Sequence, residues 1–256
     1  MSISLKDKTY VIMGVANKRS IAWGIARSLD AAGANLIFTY AGERFEKSVR
    51  DLVATLDGNH EQILPCDVTS DEDVEKCFHT IEENNGKIDG LAHCIAFAKT
   101  EELSGDFSDT SREGFLLAHN ISSYSLTIVS KYAKPLMSEG GSIVALTYIG
   151  GERVMPNYNV MGVAKASLEM SVRYLAADLG KYDIRVNAIS SGPIRTLSSK
   201  GVSDFNSILR EIEEKAPLRR NTTPEEVGDT AVFLFSNMSR GITGEVLHVD
   251  SGYHVL

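Results

Sequence analysis

Several features that mark other kinds of protein are scarce or missing in this chain. Only three cysteines occur in 256 residues, Cys66, Cys77 and Cys94, with no Cys-x-x-Cys pair. An odd count without pairing excludes a disulfide framework and leads us to expect buried, reduced thiols, as in the cytoplasm. The six histidines never fall at His-x-x-x-His spacing, so no metal site is expected. No Gly-x-Ser-x-Gly elbow is present, which removes the serine hydrolases. Basic runs are missing from a chain of net charge −8, and nucleic acid is therefore not expected as a partner. No apolar stretch approaches the roughly 18 residues needed to span a bilayer, so no membrane association is expected. The opening MSISLKDKTYVIMGV has no signal-peptide cleavage pattern, which adds to the expectation of a cytoplasmic protein. Repeats, low-complexity segments and linkers are missing too, and residues 1–256 read as one domain.

What the chain does have is alternation. Short apolar runs read as strands at 9–13 (TYVIM), 35–40, 62–68, 88–96, 141–147, 184–190 and 246–250. Between them lie segments of helical period at 20–34, 43–56, 70–85, 111–137 and 157–180, and a helix opening at Pro224. Strands rich in Val, Ile and Leu, alternating with helices, predict an α/β fold: a doubly wound, seven-stranded parallel sheet. Right-handed crossovers then bring the C-terminal ends of the strands to one edge, where ligands bind.

Four of those strand ends carry suggestive residues. After strand one, Gly14 supplies a turn, Ala16 lies in the loop, and Ser20 and Ile21 begin a helix whose N–H groups could hold a pyrophosphate. Gly24 is expected to let that helix pack close to the sheet. The usual Gly-x-Gly-x-x-Gly is missing, so a plain turn with Ser20 as helix cap stays open. Asp67 and Val68 follow strand three, where a carboxylate could accept from an adenine amino group or simply tie a turn. Cys94, Ile95 and Ala96 close strand four with room for a ribose. Gly192, Pro193, Ile194 and Thr196 follow strand six and could bracket a nicotinamide carboxamide. Together they predict a dinucleotide site.

Tyr158 and Lys165 are seven residues apart. On a helix that is 700°, about 20° short of two turns, so both lie on one face separated by roughly 10 Å. A phenol is a poor acid at neutral pH, and an ammonium close by is expected to favour its ionisation.

Gly14…Ser20-Ile21-Ala22…Gly24, Tyr158…Lys165 and Ser191-Gly192-Pro193-Ile194-Arg195-Thr196 resemble the divergent branch of the short-chain dehydrogenase/reductase superfamily. More closely, with SREGFLLAHNISSYSLT (111–127) and NYNVMGVAKASLE (157–169), the chain is similar to the bacterial enoyl-acyl-carrier-protein reductases of type II fatty acid synthesis. The resemblance covers essentially the whole chain. It departs from the superfamily's common Tyr-x-x-x-Lys, because no tyrosine here has a lysine four residues later. The superfamily's serine position falls on Ala145.

The resemblance implies reduction of a trans-2-enoyl thioester, with Tyr158 the donor to the developing enolate oxygen. Lys165 would hold the nicotinamide ribose, and Tyr148, the family's second tyrosine, would line the pocket and assist. It also implies an acyl-carrier-protein substrate and a homotetramer. Phe97 and Ala98 would form one substrate wall. Leu197, Phe205 and Ile208 would belong to a mobile lid over 195–217. Lys200, Arg219 and Arg220 are the candidate docking cations for an acidic carrier. No basic residue directly follows Tyr40, and Glu43 would repel a 2′-phosphate, so NADH is expected over NADPH, although Arg44 could reach such a phosphate. The competing readings are a short-chain carbonyl reductase or alcohol dehydrogenase, and a catalytically silent dinucleotide-binding regulator.

Overall fold

In the computed structural model, which describes residues 3–196, 199 and 204–256, the apolar runs form one parallel sheet. Its strands are β1 (Thr9–Met13), β2 (Asn35–Tyr40), β3 (Ile63–Pro65), β4 (Gly90–His93), β5 (Gly141–Thr147), β6 (Ile184–Ser191) and β7 (Val246–Val249). They lie in the order β3-β2-β1-β4-β5-β6-β7, each pair parallel. Successive side chains of a strand point to opposite faces, and the core divides accordingly. Val11, Met13, Ile37, Leu91, Ile143, Ala145, Val186 and Ala188 pack on one side with α3 (Asp71–Asn85), α5 (Ser125–Ala133) and α6 (Asn159–Leu179). Tyr10, Ile12, Leu36, Phe38, Ala92, Val144 and Ile189 face the other, against α1 (Ile21–Ala31), α2 (Glu43–Val53) and α8 (Pro224–Phe235). The chain reverses its direction of sheet growth between β1 and β4, and a crevice opens at their C-terminal ends.

Several boundaries differ from expectation, each for a local reason. β3 stops at Pro65 because Asp67 Oδ1 accepts from the Thr69 N–H and hydroxyl, at 2.9 and 2.7 Å, and turns the chain into α3. β4 stops at His93 rather than continuing to 96. Beyond it the Ser122 hydroxyl takes over the main-chain partners of Phe97, accepting from its N–H (2.9 Å) and donating to its carbonyl (3.0 Å). The single helix expected over 111–137 is broken into α4 (Arg112–His119), a π turn (Asn120–Tyr124), α5 and a 3₁₀ turn at Lys134–Leu136. Serines that bond elsewhere disfavour a regular helix through that turn. Gly24 serves α8 and not the sheet: a Cβ there would lie 2.5 Å from the Pro224 carbonyl oxygen.

A buried polar knot fixes the start of β2. His60 Nδ1 accepts from the Leu36 N–H at 3.1 Å, so the ring carries its proton on Nε2, which donates to Asp30 Oδ1 at 2.7 Å. Asp30 also accepts from the N–H groups of Asp57 and Gly58. Burial opposes the Asp30 charge, but the His60 bond and the two N–H bonds outweigh it and hold the carboxyl below its usual range. A depressed carboxyl contributes stability above its unfolded pKa that is lost as pH falls through the folded one. Asp30→Ala should therefore cost about 2–4 kcal/mol at neutral pH, with a gap from wild type that narrows in acid, read by urea unfolding across pH.

Candidate active site

The crevice begins with a steric requirement. Gly14 ends β1 at φ +96°, and a Cβ on it would stand 2.2 Å from the Cys94 carbonyl oxygen. Only glycine lets β1 and β4 approach this closely where a phosphate chain would pass. The loop that follows is organised by Ser20. Its hydroxyl oxygen accepts from the N–H groups of Ala16 and Asn17, both at 3.1 Å, and makes no bond to the N–H groups of α1. Ser20 thus holds the cap position of α1 by its main chain and gives its side chain to the loop. The N–H groups of Ile21 and Ala22 lack intrahelical partners, that of Trp23 donating to the Ser20 carbonyl at 3.0 Å, and no acidic residue lies in the first turn of α1. An anion fits that end.

The other strand ends supply its walls. Asp67 spends Oδ1 on its own turn and Val68 is buried in the core. Cys94 packs beside the crevice with its thiol pushed up to about 12, mainly by burial. Ile95 packs toward the opposite core and Ile194 toward the α1 side. Gly192 lies so near Thr222 that a Cβ would meet its hydroxyl oxygen at 2.7 Å, and Pro193 is buried beside it. Thr196 is tied to Ser199, donating its N–H to the Ser199 hydroxyl at 2.9 Å and accepting the Ser199 N–H at 3.1 Å.

At the end of β5 the two tyrosines meet. The ring of Tyr148 stands edge-on to that of Tyr158, centroids 5.0 Å apart and planes inclined at 71°. Tyr158 occupies the residue before α6, where it joins Ala96 and Ala98 around a small apolar cluster of Leu103, Ala118, Val160, Met161 and Ala164. The neighbouring glycines provide room. A Cβ on Gly150 would lie 2.4 Å from the Tyr158 ring. Lys165 is 5% exposed and donates from Nζ to the Leu146 carbonyl at 2.7 Å. Its ammonium is pushed down to about 8, chiefly by burial, with the Cys94 thiol and Glu169 acting the other way.

One expectation is corrected here. The phenol of Tyr158 is raised above its ordinary range, by burial first, then by Tyr148 and Glu169. Lys165, engaged with Leu146, does not draw it toward phenolate. Tyr148 is raised as well, by burial and then by Tyr253. Both tyrosines hold their protons, which suits donors of hydrogen bonds to an oxyanion.

Of the residues expected to form a lid, Leu197 lies outside the described residues. Phe205 and Ile208 open α7 (Phe205–Lys215), half-buried, while Leu209 and Ile212 bury its inner face. Phe97 presents a side chain that is 48% exposed. Sequence reasoning missed three groups. Glu169 is buried at 5% exposure four residues beyond Lys165, a spacing that could have flagged it. Ser122 has its signal in the serines of NISSYS. His93, fully buried, meets the Ser125 hydroxyl at 2.8 Å, and that hydroxyl donates to the Ile121 carbonyl. Burial, then Lys165, pushes its imidazole down to about 3, so it is neutral.

Comparison with known proteins places this geometry. The model of the family described as enoyl-(acyl carrier protein) reductase matches residues 14–254. The NADH-dependent enoyl-[acyl-carrier-protein] reductase of Bacillus subtilis is 73% identical, over 100% of this chain and 99% of its own. The NADPH-dependent enzyme of Staphylococcus aureus is 61% identical over 99% of each. The crystal structure of the Bacillus cereus enoyl-acyl carrier protein reductase with NADP+ and indole naphthyridinone superposes with a TM-score of 0.98 at 69% identity, over 100% of this chain and 99% of that one. Fold and sequence agree: the chain belongs to the enoyl-(acyl carrier protein) reductase family.

Proposed function

We propose that this protein reduces the trans-2 double bond of enoyl thioesters carried on acyl-carrier protein, using NADH, the last reductive step of each fatty acid elongation cycle. The observation that carries this reading is the partly buried Tyr148–Tyr158 pair, with Ala96 and Ala98 packed on the cluster beside Tyr158 and the buried Lys165 seven residues on. Hydride added at the β-carbon of an enoyl thioester sends charge to the thioester oxygen. That oxygen needs a donor that arrives protonated, and Tyr158, its phenol raised by burial, is such a donor. Ala145, where a carbonyl reductase keeps serine, is fully buried and offers no hydroxyl. Retention of both Tyr158 and Lys165 argues against a silent regulator.

When bound, the dinucleotide supplies the hydride. The N–H groups of the Gly14–Ser20 loop and the start of α1 would hold its phosphates, and Cys94, Ile95 and Ala96 would border a ribose. Lys165 spends one of its three donors on Leu146, leaving two for ribose hydroxyls. Ile194 and Thr196 would bracket the carboxamide. Asp67 would offer adenine the oxygen that its turn leaves over. Arg44 stacks on the Phe45 ring, 4.6 Å from its centroid, and Glu43 opens α2, an arrangement that favours NADH.

The acyl chain would run along Phe97, Ala98 and the lid. Tyr253 and Asn221 anchor α7 through Glu211 (3.2 Å) and Glu213 (2.6 Å), and Arg195 reaches Asn206 at 2.5 Å. Arg220 forms two bonds to Glu226, at 2.9 and 2.6 Å, so its charge is matched within the chain. Lys200 lies outside the described residues. Arg219, exposed at φ +52°, remains the better candidate for meeting an acidic carrier. Leu116, Tyr124, Met170 and Tyr174 are exposed along α4, the π turn and α6, and we assign that apolar face to contact between subunits of a homotetramer. A cytoplasmic location fits the three free cysteines. No helix among the described residues is long and apolar enough to cross a membrane.

NADH oxidation with a crotonyl or dodecenoyl thioester tests the reading directly. Turnover of a 3-ketoacyl thioester alone would overturn it, and kcat/KM with NADPH above that with NADH would overturn the cofactor assignment. Tyr158→Phe should lower kcat about 10²–10³-fold with the NADH Kd little changed.

A further inference from the structure

Beneath the tyrosine pair lies a carboxyl to which the reaction as described gives no task. Thr147, the residue before Tyr148, donates its hydroxyl to Glu169 Oε1 at 2.6 Å. Both partners are buried, Thr147 at 3% exposure and Glu169 at 5%. Glu169 follows Lys165 by one helical turn on the same face of α6. It also presses on the turn after Tyr148, where a Cβ on Gly151 would lie 2.6 Å from Oε1. The adjacent pair Gly150-Gly151 thus has two separate duties. Neither glycine has a positive φ, so each is needed for space: Gly150 for the ring of Tyr158, Gly151 for the carboxylate of Glu169.

Resting on the enoyl-reductase reading, we propose that Glu169 is a positioning residue for the reaction. Its carboxylate, locked by the Thr147 hydroxyl between the Tyr148 turn and the Lys165 face of α6, sets the orientation and the protonation of the Tyr158 and Lys165 donors.

The electrostatics point the same way. Glu169 raises the phenol of Tyr158, so the proton stays on the donor, and it raises the ammonium of Lys165 against a burial that pushes it down. The other groups facing Lys165 are Cys94, whose thiol burial keeps protonated, and the neutral His93. Around Glu169 itself, burial pushes the carboxyl up, opposed by the Thr147 bond, and beyond these Glu152 raises it while Arg173 and Lys165 lower it. A buried ammonium with no counter-charge shifts toward neutrality, and a buried phenol freed of a neighbouring anion becomes more acidic. Removing the carboxylate therefore moves both donors in one direction, toward earlier loss of a proton.

Glu169→Gln keeps the shape and still accepts from Thr147 but carries no charge. In the intact enzyme, the alkaline limb of kcat/KM for a dodecenoyl thioester should move to lower pH by at least about half a unit. Thr147→Val is the gentler companion. It leaves the carboxylate without its donor, raises the pKa of Glu169, and should shift the acid limb to higher pH. A purely structural carboxyl would lower activity or unfolding temperature with both limbs in place. Unmoved limbs in either variant that folds overturn the proposal. Wild-type enzyme in the same assay separates the two readings, because absence of enoyl reduction there would refute the function and not Glu169.

Discussion

The site is organised around one ammonium kept out of water. Lys165 sits at the end of a parallel sheet, where burial drives it toward neutrality, and each element around it answers that pressure. The Leu146 carbonyl takes one of its protons, Glu169 supplies compensating charge, and His93 stays neutral nearby. The same burial that pushes the lysine down raises both phenols and keeps their protons in place, as the proposed donation to an oxyanion requires. A more open crevice would relieve Lys165 and weaken Tyr158.

The coarse plan was legible because it rests on periodicity. Alternating apolar runs foretold seven parallel strands, and the pattern placed a helix, α6, directly after Tyr158 with Lys165 within it. The resemblance to enoyl reductases and the preference for NADH agree with the family and with the relative of highest stated identity. What escaped were the places where side chains replace main-chain partners. The π turn at Asn120–Tyr124 looks helical by pattern, and only the bond from Ser122 to Phe97 shows why β4 ends early. Asp67 looked free to bind a ligand, yet half its carboxylate closes its own turn. Gly24 was read against the sheet, whereas the tightest neighbour is a proline some two hundred residues on.

The acidity of Tyr158 shows a different limit. A lysine on the same face suggested an ionisable phenol, but pattern gives direction around an axis and not the partner at the end of a flexible chain. Nζ found the Leu146 carbonyl, and the phenol responded to burial, Tyr148 and Glu169. A phenol so placed keeps its proton, as the proposed hydrogen-bond donation to an enolate requires.

The Ser122 clamp on Phe97 separates two properties of one residue. Its main chain is held from both sides by a hydroxyl inside a helical run, while its side chain projects with nearly half its surface exposed. The substrate wall proposed at Phe97 would thereby be a fixed rail with an interchangeable fitting. A substitution at Phe97 can therefore change the side chain presented there and leave in place the clamp that follows the end of β4.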